Sequence, residues 1–416
     1  MEETLMTSKH LIGVCLAAMI AACGQNTPKP ESPTEQLSAE DTLMQQLIDA
    51  KAGDVIEVPE GKLSFKRGLS LTVNGVTIRG KGMDKSVLSF SDQIAGAEGL
   101  LVTASDFTIE DLAIEDAKGD ALKVNEGNNI TIRRIRTEWT NGPKTENGAY
   151  GIYPVQTTNV LMEDNVAIGA SDAGIYVGQS KNVVVRRNRA EYNVAGIEIE
   201  NTIGADVYEN VATNNTGGIL VFNMPALKQA GSTTRVYDNK VFANNLGNFG
   251  HAGTPVASVP AGTGVIVNSN DKVEIFNNEI SDNKTSNVII SSLFETGYSD
   301  DEKSDTFDPY PESIFIYGNT FSGGGNAPDR AGLEAARVAL FGEDGSFPDV
   351  LWDGYVDPAK MVDGKLPDDL RICVDNGDAE MLNADAQNKY AAPALVTDEH
   401  KCTLEKLPAI ELNRER

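Results

Sequence analysis

Tyr150, Tyr153 and Tyr176, with Lys123, Asn125, Glu198 and Glu200, are the side chains whose types and spacing suit chemistry on a polyhydroxylated ligand. Tyrosine rings offer faces for sugar rings and hydroxyls to bond them, while carboxylates and a lysine add acceptors, a donor and groups that move protons. Glu198 and Glu200 stand two residues apart, which on one face of a strand is about 6.8 Å. That separation suits two carboxyls flanking a glycosidic bond and a water, or a bound Ca²⁺, although alternation alone creates it. Tyr150 is the one catalytic candidate, through proton exchange at its hydroxyl. These residues call for no cofactor. With 3 His in the whole chain and no C-x-x-C pair among its 4 Cys, zinc has almost nothing to bind.

The elements that must position these residues are repetitive. Gly151-Ile152, Gly174-Ile175, Gly196-Ile197 and Gly218-Ile219 recur at spacings of 23, 22 and 22. Asn165, Asn188, Asn210, Asn239, Asn278 and Asn319 form a second series behind Met162, Val185, Val207, Val236, Ile275 and Ile316, and Asn193, Asn215, Asn244 and Asn283 follow five residues after four of them. A period near 22 with short β-branched strands, glycine and asparagine at corners and no helical pattern is the signature of a parallel β-helix, one coil per repeat. The fold class is therefore all-β. Stacked asparagines satisfy corner backbone that sheets cannot, with the asparagine itself expected in the left-handed conformation, so the ladder is structural. Leu112 and Ile135 hold the ladder position in earlier coils.

An open solenoid end needs a cap. Ser38 and Asp41 open a helix within 37–53 whose apolar face is Leu43, Met44, Leu47 and Ile48. The solenoid is expected over 54–341, and 342–416 reads as a closing segment. Four insertions flank the Gly-Ile strand: 141–149 and 246–262 enter it, 223–233 and 293–312 leave it. Loops on both edges of one sheet make a groove. With the isoleucines inward, parity turns Lys123, Tyr153, Tyr176, Glu198, Leu220, Ile266 and Ile289 outward, followed by Asn125, Val155, Gly178, Glu200, Phe222, Asn268 and Ser291. The floor is thus polar and aromatic in its earlier half and apolar in its later half, and Tyr176 is expected to project into solvent with little weight in stability.

Residues 1–22 read as a signal peptide, Lys9 and His10 preceding the apolar run from Leu11 to Ala22, with translation starting at Met1 or Met6. Ile20-Ala21-Ala22-Cys23 resembles the lipobox of bacterial lipoproteins, which implies lipidation of Cys23, a tether over 23–36 and membrane contact through the lipid alone. Of the four cysteines, Cys373 and Cys402 then remain as an expected disulfide. A net charge of -26 argues against nucleic acid. A monomer is expected.

Tyr150-Gly151-Ile152-Tyr153-Pro154-Val155-Gln156 resembles the Tyr-Gly-(Phe/Ile)-Asp-Pro-His-Glu motif of alginate C5-epimerases, which are right-handed β-helices. Tyr150 carries over. Tyr153 replaces the motif's Asp, Val155 replaces its His, and later coils present Glu198 and Glu200 where the family uses an Arg. From about Ala39 to Phe341 the chain resembles exported parallel β-helix repeat proteins of proteobacteria, which implies an outer-membrane lipoprotein, facing periplasm or exterior, and a co-exported protein partner. The function expected is binding of an extended polysaccharide or that partner along one sheet, without catalysis. The alternatives are a polysaccharide lyase or C5-epimerase acting on uronate polymers, and a structural cell-envelope protein.

Overall fold

The computed structural model describes residues 37–296, 303–396 and 398–412. The leader, Cys23 and the tether to Gln36 lie outside the described residues.

Helix α1 (Ala39–Ile48) starts where Ser38, in extended conformation, accepts the Asp41 amide on its hydroxyl at 3.0 Å, an N-cap that satisfies an otherwise orphaned donor. It packs against the strands Val55–Glu57, Gly61–Ser64 and Arg67–Leu71 and buries Leu43 and Leu47 over the first coil. Ile48 departs from the expected apolar face and is 73% exposed, because the helix ends there and the chain turns away through Asp49.

From that cap the chain winds through three columns of parallel strands. The first, hereafter the groove sheet, stacks Arg67–Leu71, Ala95–Val102, the openings of Leu122–Glu138 and Tyr150–Glu163, then Ala173–Gly178, Ala195–Glu200, Gly217–Phe222, Thr263–Asn268 and Ser286–Ser291. The second includes Lys181–Arg186, Ile203–Tyr208, Ser232–Tyr237, Asp271–Phe276 and Ile314–Tyr317. The third runs through the three-residue strands Val166–Ile168, Arg189–Glu191, Val211–Thr213 and their successors. The inward Ile152, Ile175, Ile197 and Ile219 are fully buried, as are Met162, Val185, Val207 and Val236. One hydrophobic column therefore fills the coil from end to end.

Asparagine side chains join successive coils. Asn165 donates to Asn188 at 2.9 Å, Asn188 to Asn210 at 3.0 Å, Asn210 to Asn239 at 3.0 Å, and the column continues through Asn278 and Asn319 to Asn376. Each amide also serves backbone: Asn210 donates to the Val185 carbonyl and accepts the Asn188 amide. The left-handed conformation belongs to the residue before each ladder position, at Asp164, Arg187, Glu209, Asp238, Asn277 and Gly318, rather than to the ladder asparagine. The corner bends one residue early, which aims the asparagine inward along the stack.

The coils also run past the boundary at 341. Helix α2 (Ala331–Phe341) is part of an insertion, after which Val350–Trp352 pairs in parallel with the groove sheet and Ile372–Asp375 with the second. Insertions on both sides of α2 break the 22-residue spacing, so periodicity fades before the stack does. Cys373 and Cys402 form a disulfide with Cα atoms 4.9 Å apart. Beyond it the chain crosses the second sheet, where the Leu407 amide donates to Glu274 at 3.2 Å and the Ile410 amide to Asp206 at 3.1 Å.

Candidate active site

The insertions wall the groove sheet as their positions implied. On the entry edge, Asn147 donates to the carbonyls of Gly142 and Gly169 and fastens the 141–149 loop. On the exit edge, Gln229 donates to the carbonyls of Asn201 at 2.8 Å and Ser180 at 3.1 Å, folding the 223–231 loop back over earlier coils, and the Ser304 amide donates to the Pro225 carbonyl to extend that wall. The 246–262 loop behaves differently. Asn248 ties it shut through the carbonyls of Val256 and Val259, and Val256, Val259 and Phe249 settle onto Leu220, Phe222 and Ile266. The apolar half of the expected floor is therefore a second, smaller core rather than open groove: Leu220 is 0% and Ile266 4% exposed.

Sequence parity is right in the earlier half. Glu198 lies in register beside Tyr176 on the outer face, and Tyr153 beside Lys123. The three tyrosine rings interlock, with centroids 4.5 Å apart for Tyr150 with Tyr153 and with Tyr176, and 4.8 Å for Tyr153 with Tyr176. The Tyr176 ring lies across Gly178, where a Cβ would meet it at 2.5 Å, and its hydroxyl reaches Glu200 at 2.5 Å. Tyr176 does not project into solvent; it is 6% exposed, packed between the aromatic cluster and the residues under the 246–262 loop. Lys123 lies 4.8 Å over Tyr153, 3.8 Å from Glu98 and 3.6 Å from Asp120. Asn125 is half-buried one step further along its strand.

Two carboxylates absent from the parity rows complete the cluster. Asp120 and Asp172 each sit at the corner where the chain enters a groove strand, and each is half-buried. Tyr150 lies beside both, and each carboxyl interacts with it electrostatically. Their signal is a shared Asp-Ala before the strand, in Asp120-Ala121-Leu122 and Asp172-Ala173-Gly174. Strand alternation could not have found them, because it says nothing about corners.

Burial dominates the electrostatics here. It pushes the Asp120 carboxyl up to about 6, against the pull of Lys123. It pushes Asp172 up to about 7, reinforced by repulsion from Glu200 and opposed by the Tyr150 hydroxyl. Glu200 rises to about 7 through burial, with the Tyr176 hydroxyl working against the rise. Burial and then the charges of Asp172 and Glu200 hold Glu198 well above the usual carboxylate range. Glu198 is 3% exposed, and its Oε2 has no hydrogen-bond partner. Burial likewise raises Tyr150, Tyr153 and Tyr176, keeping their hydroxyls protonated as donors. Among the described residues, no three His, Cys, Asp or Glu side chains are placed to hold a metal ion.

A family model described as a right-handed β-helix region matches residues 70–241. The chain is a right-handed parallel β-helix. Curated protein sequences give no match. Among solved structures, this β-helix is similar to the A-module of a mannuronan C-5 epimerase from Azotobacter vinelandii, at 19% identity and a TM-score of 0.47 over 78% of this chain and 84% of that one. It is similar to an alginate lyase from a Paenibacillus species, at 15% identity and a TM-score of 0.39 over 69% and 96% of the two chains. A DFA-IIIase from Arthrobacter chlorophenolicus gives 12% identity and a TM-score of 0.45 over 72% and 82%. These are likenesses of fold.

Proposed function

We propose that this β-helix binds an uncharged glycan in the groove and cleaves a glycosidic bond with Asp120 and Asp172. The observation that carries the reading is their placement: two half-buried carboxyls on either side of Tyr150, at the edge of a three-tyrosine platform. A carboxyl near 7 keeps a large protonated fraction at neutral pH while one near 6 is mostly ionised, so the environments divide the roles. Asp172 gives its proton to the leaving glycosidic oxygen as the bond to the anomeric carbon breaks. Asp120 takes a proton from the water that adds to that carbon, and the two carboxyls then exchange one proton with solvent. No cofactor enters this balance.

Charge argues against a uronate polymer as substrate. The site gathers Asp120, Asp172, Glu198 and Glu200, and its Lys123 is already engaged by Glu98 and Asp120. Abstracting a proton beside a uronate carboxylate needs a free cation to hold the developing charge. The anchor at Cys23, the envelope location and a co-exported protein partner stay within this proposal, and lipid mass on the amino-terminal peptide tests the first of them.

The deciding experiment incubates the full-length protein with starch, xylan, mannan and inulin beside alginate and polygalacturonate, reading new reducing ends, unsaturated products and retention. Reducing ends from a neutral glycan, lost in Asp172→Asn, are expected. Unsaturated products from a uronate polymer would overturn the reading in favour of a lyase.

A further inference from the structure

The groove has two unlike ends. Toward the amino terminus, the outward positions continue from Lys123 to Leu101 and then to Ser70, each in register with the last, with Thr103 and Thr72 two residues beyond them. Ser70, Thr72 and Thr103 are exposed and Leu101 half-buried, so among the described residues nothing covers the sheet on that side. Toward the carboxyl terminus, the next coil after Glu198 and Glu200 carries Leu220 and Phe222, buried beneath Val256 and Val259. A Cβ built at Gly217 would lie 3.1 Å from Val259 Cγ1, so the loop sits directly on the strand. The exit-edge loop is bonded back onto the two preceding coils, through Gln229 to Ser180 and Asn201. Behind the tyrosines there is no path onward along the sheet. The unpartnered Oε2 of Glu198, on a residue 3% exposed, stands at that closed end.

We propose, resting on the glycan reading of this site, that the groove is blind and admits only the end of a chain, which stops where the 246–262 loop covers the coil after Glu198 and Glu200. An internal stretch of polymer would have to pass through the 246–262 loop. A chain end enters over Lys123, crosses the tyrosines and stops.

The test compares long and short size fractions of starch, xylan, mannan and inulin at equal mass, following product size and retention. Release of short products of constant size, with rate or retention rising in proportion to the number of chain ends, is expected. Shortening the loop between Asn248 and Val259 to a tight turn should shift the products toward internal cleavage and equalise the two fractions. Mid-sized products from the earliest times, or retention that tracks mass alone, would overturn the blind groove while leaving the glycan reading intact. No product and no retention from any neutral glycan would overturn both.

Discussion

Carboxylates occupy two faces of the same coil and behave oppositely. On the second sheet, Glu110 is 2% exposed, yet Arg79 and Arg133 each donate to it at 2.6 Å. Burial pushes its carboxyl up, but those hydrogen bonds and charges outweigh it and hold the group below the ordinary range. Glu163 repeats the arrangement with Arg186 and Arg187. On the groove sheet, Asp172, Glu198 and Glu200 lie as carboxylates among carboxylates, with the Tyr176 hydroxyl on Glu200 and, among the described residues, no arginine bonded to them. Burial there goes uncompensated and the groups move toward neutral pH. Burial alone does not mark a functional carboxylate in a repeat protein: Asp353, held by Ser292, is also raised, to about 6, and what sets the groove apart is the gathering of several unpaired carboxyls beside tyrosines.

The sharpest way to break this contrast is Asp172→Asn. Loss of turnover by about 100- to 10,000-fold is expected, the range for removing a general acid, with the urea midpoint unchanged or higher. Turnover that survives would return the groove face to a structural role.

Tyr176→Ala should follow in size, because it empties a site beneath the 246–262 loop and strips Glu200 of its donor. A loss of about 3 kcal/mol is expected for a buried aromatic, read from chemical unfolding. A stability change near zero would put the ring in solvent after all and undo the packing of the smaller core.

Glu163→Gln probes the paired face. Since Arg186 and Arg187 are 32% and 40% exposed, solvent screens the pair and a cost of about 1 kcal/mol is expected. Groove chemistry should be untouched.

The smallest effect is in the pH dependence of melting. Glu198, Glu200 and Asp172 have folded pKa values raised above the unfolded ones near 4. The folded protein therefore holds more protons between pH 4 and 7, and the stability these groups contribute is fully present below about pH 4 and lost as pH rises through 7. Glu110 and Glu163, with lowered values, contribute in the opposite sense and lose stability only on acidification below about 4. A melting temperature that falls from pH 5 to pH 8, with a shallower fall in Glu198→Gln, is the expected result. Identical slopes in parent and variant would contradict the electrostatic contrast.

Much of this molecule was legible in its amino acids because a solenoid makes each contact a near neighbour of the last. The Gly-Ile spacing, the asparagine columns and the parity of Tyr153, Tyr176 and Glu198 depend only on a repeat near 22 and a strand period of two, both local properties. The cap at Ser38 and the pairing of Cys373 with Cys402 belong to the same class, since chain ends and cysteine counts leave few options. Tertiary structure decided what covers what. Whether Tyr176 meets water depended on where a loop some seventy residues later in the chain comes to rest, and the stacking of Val350–Trp352 was hidden by insertions that erase the period. Asp120 and Asp172 became a pair only when coils with an insertion between them closed around Tyr150. Alternation tells inside from outside; the depth of an outside position, and so the charge of its carboxyl, is set by loops whose paths no period encodes.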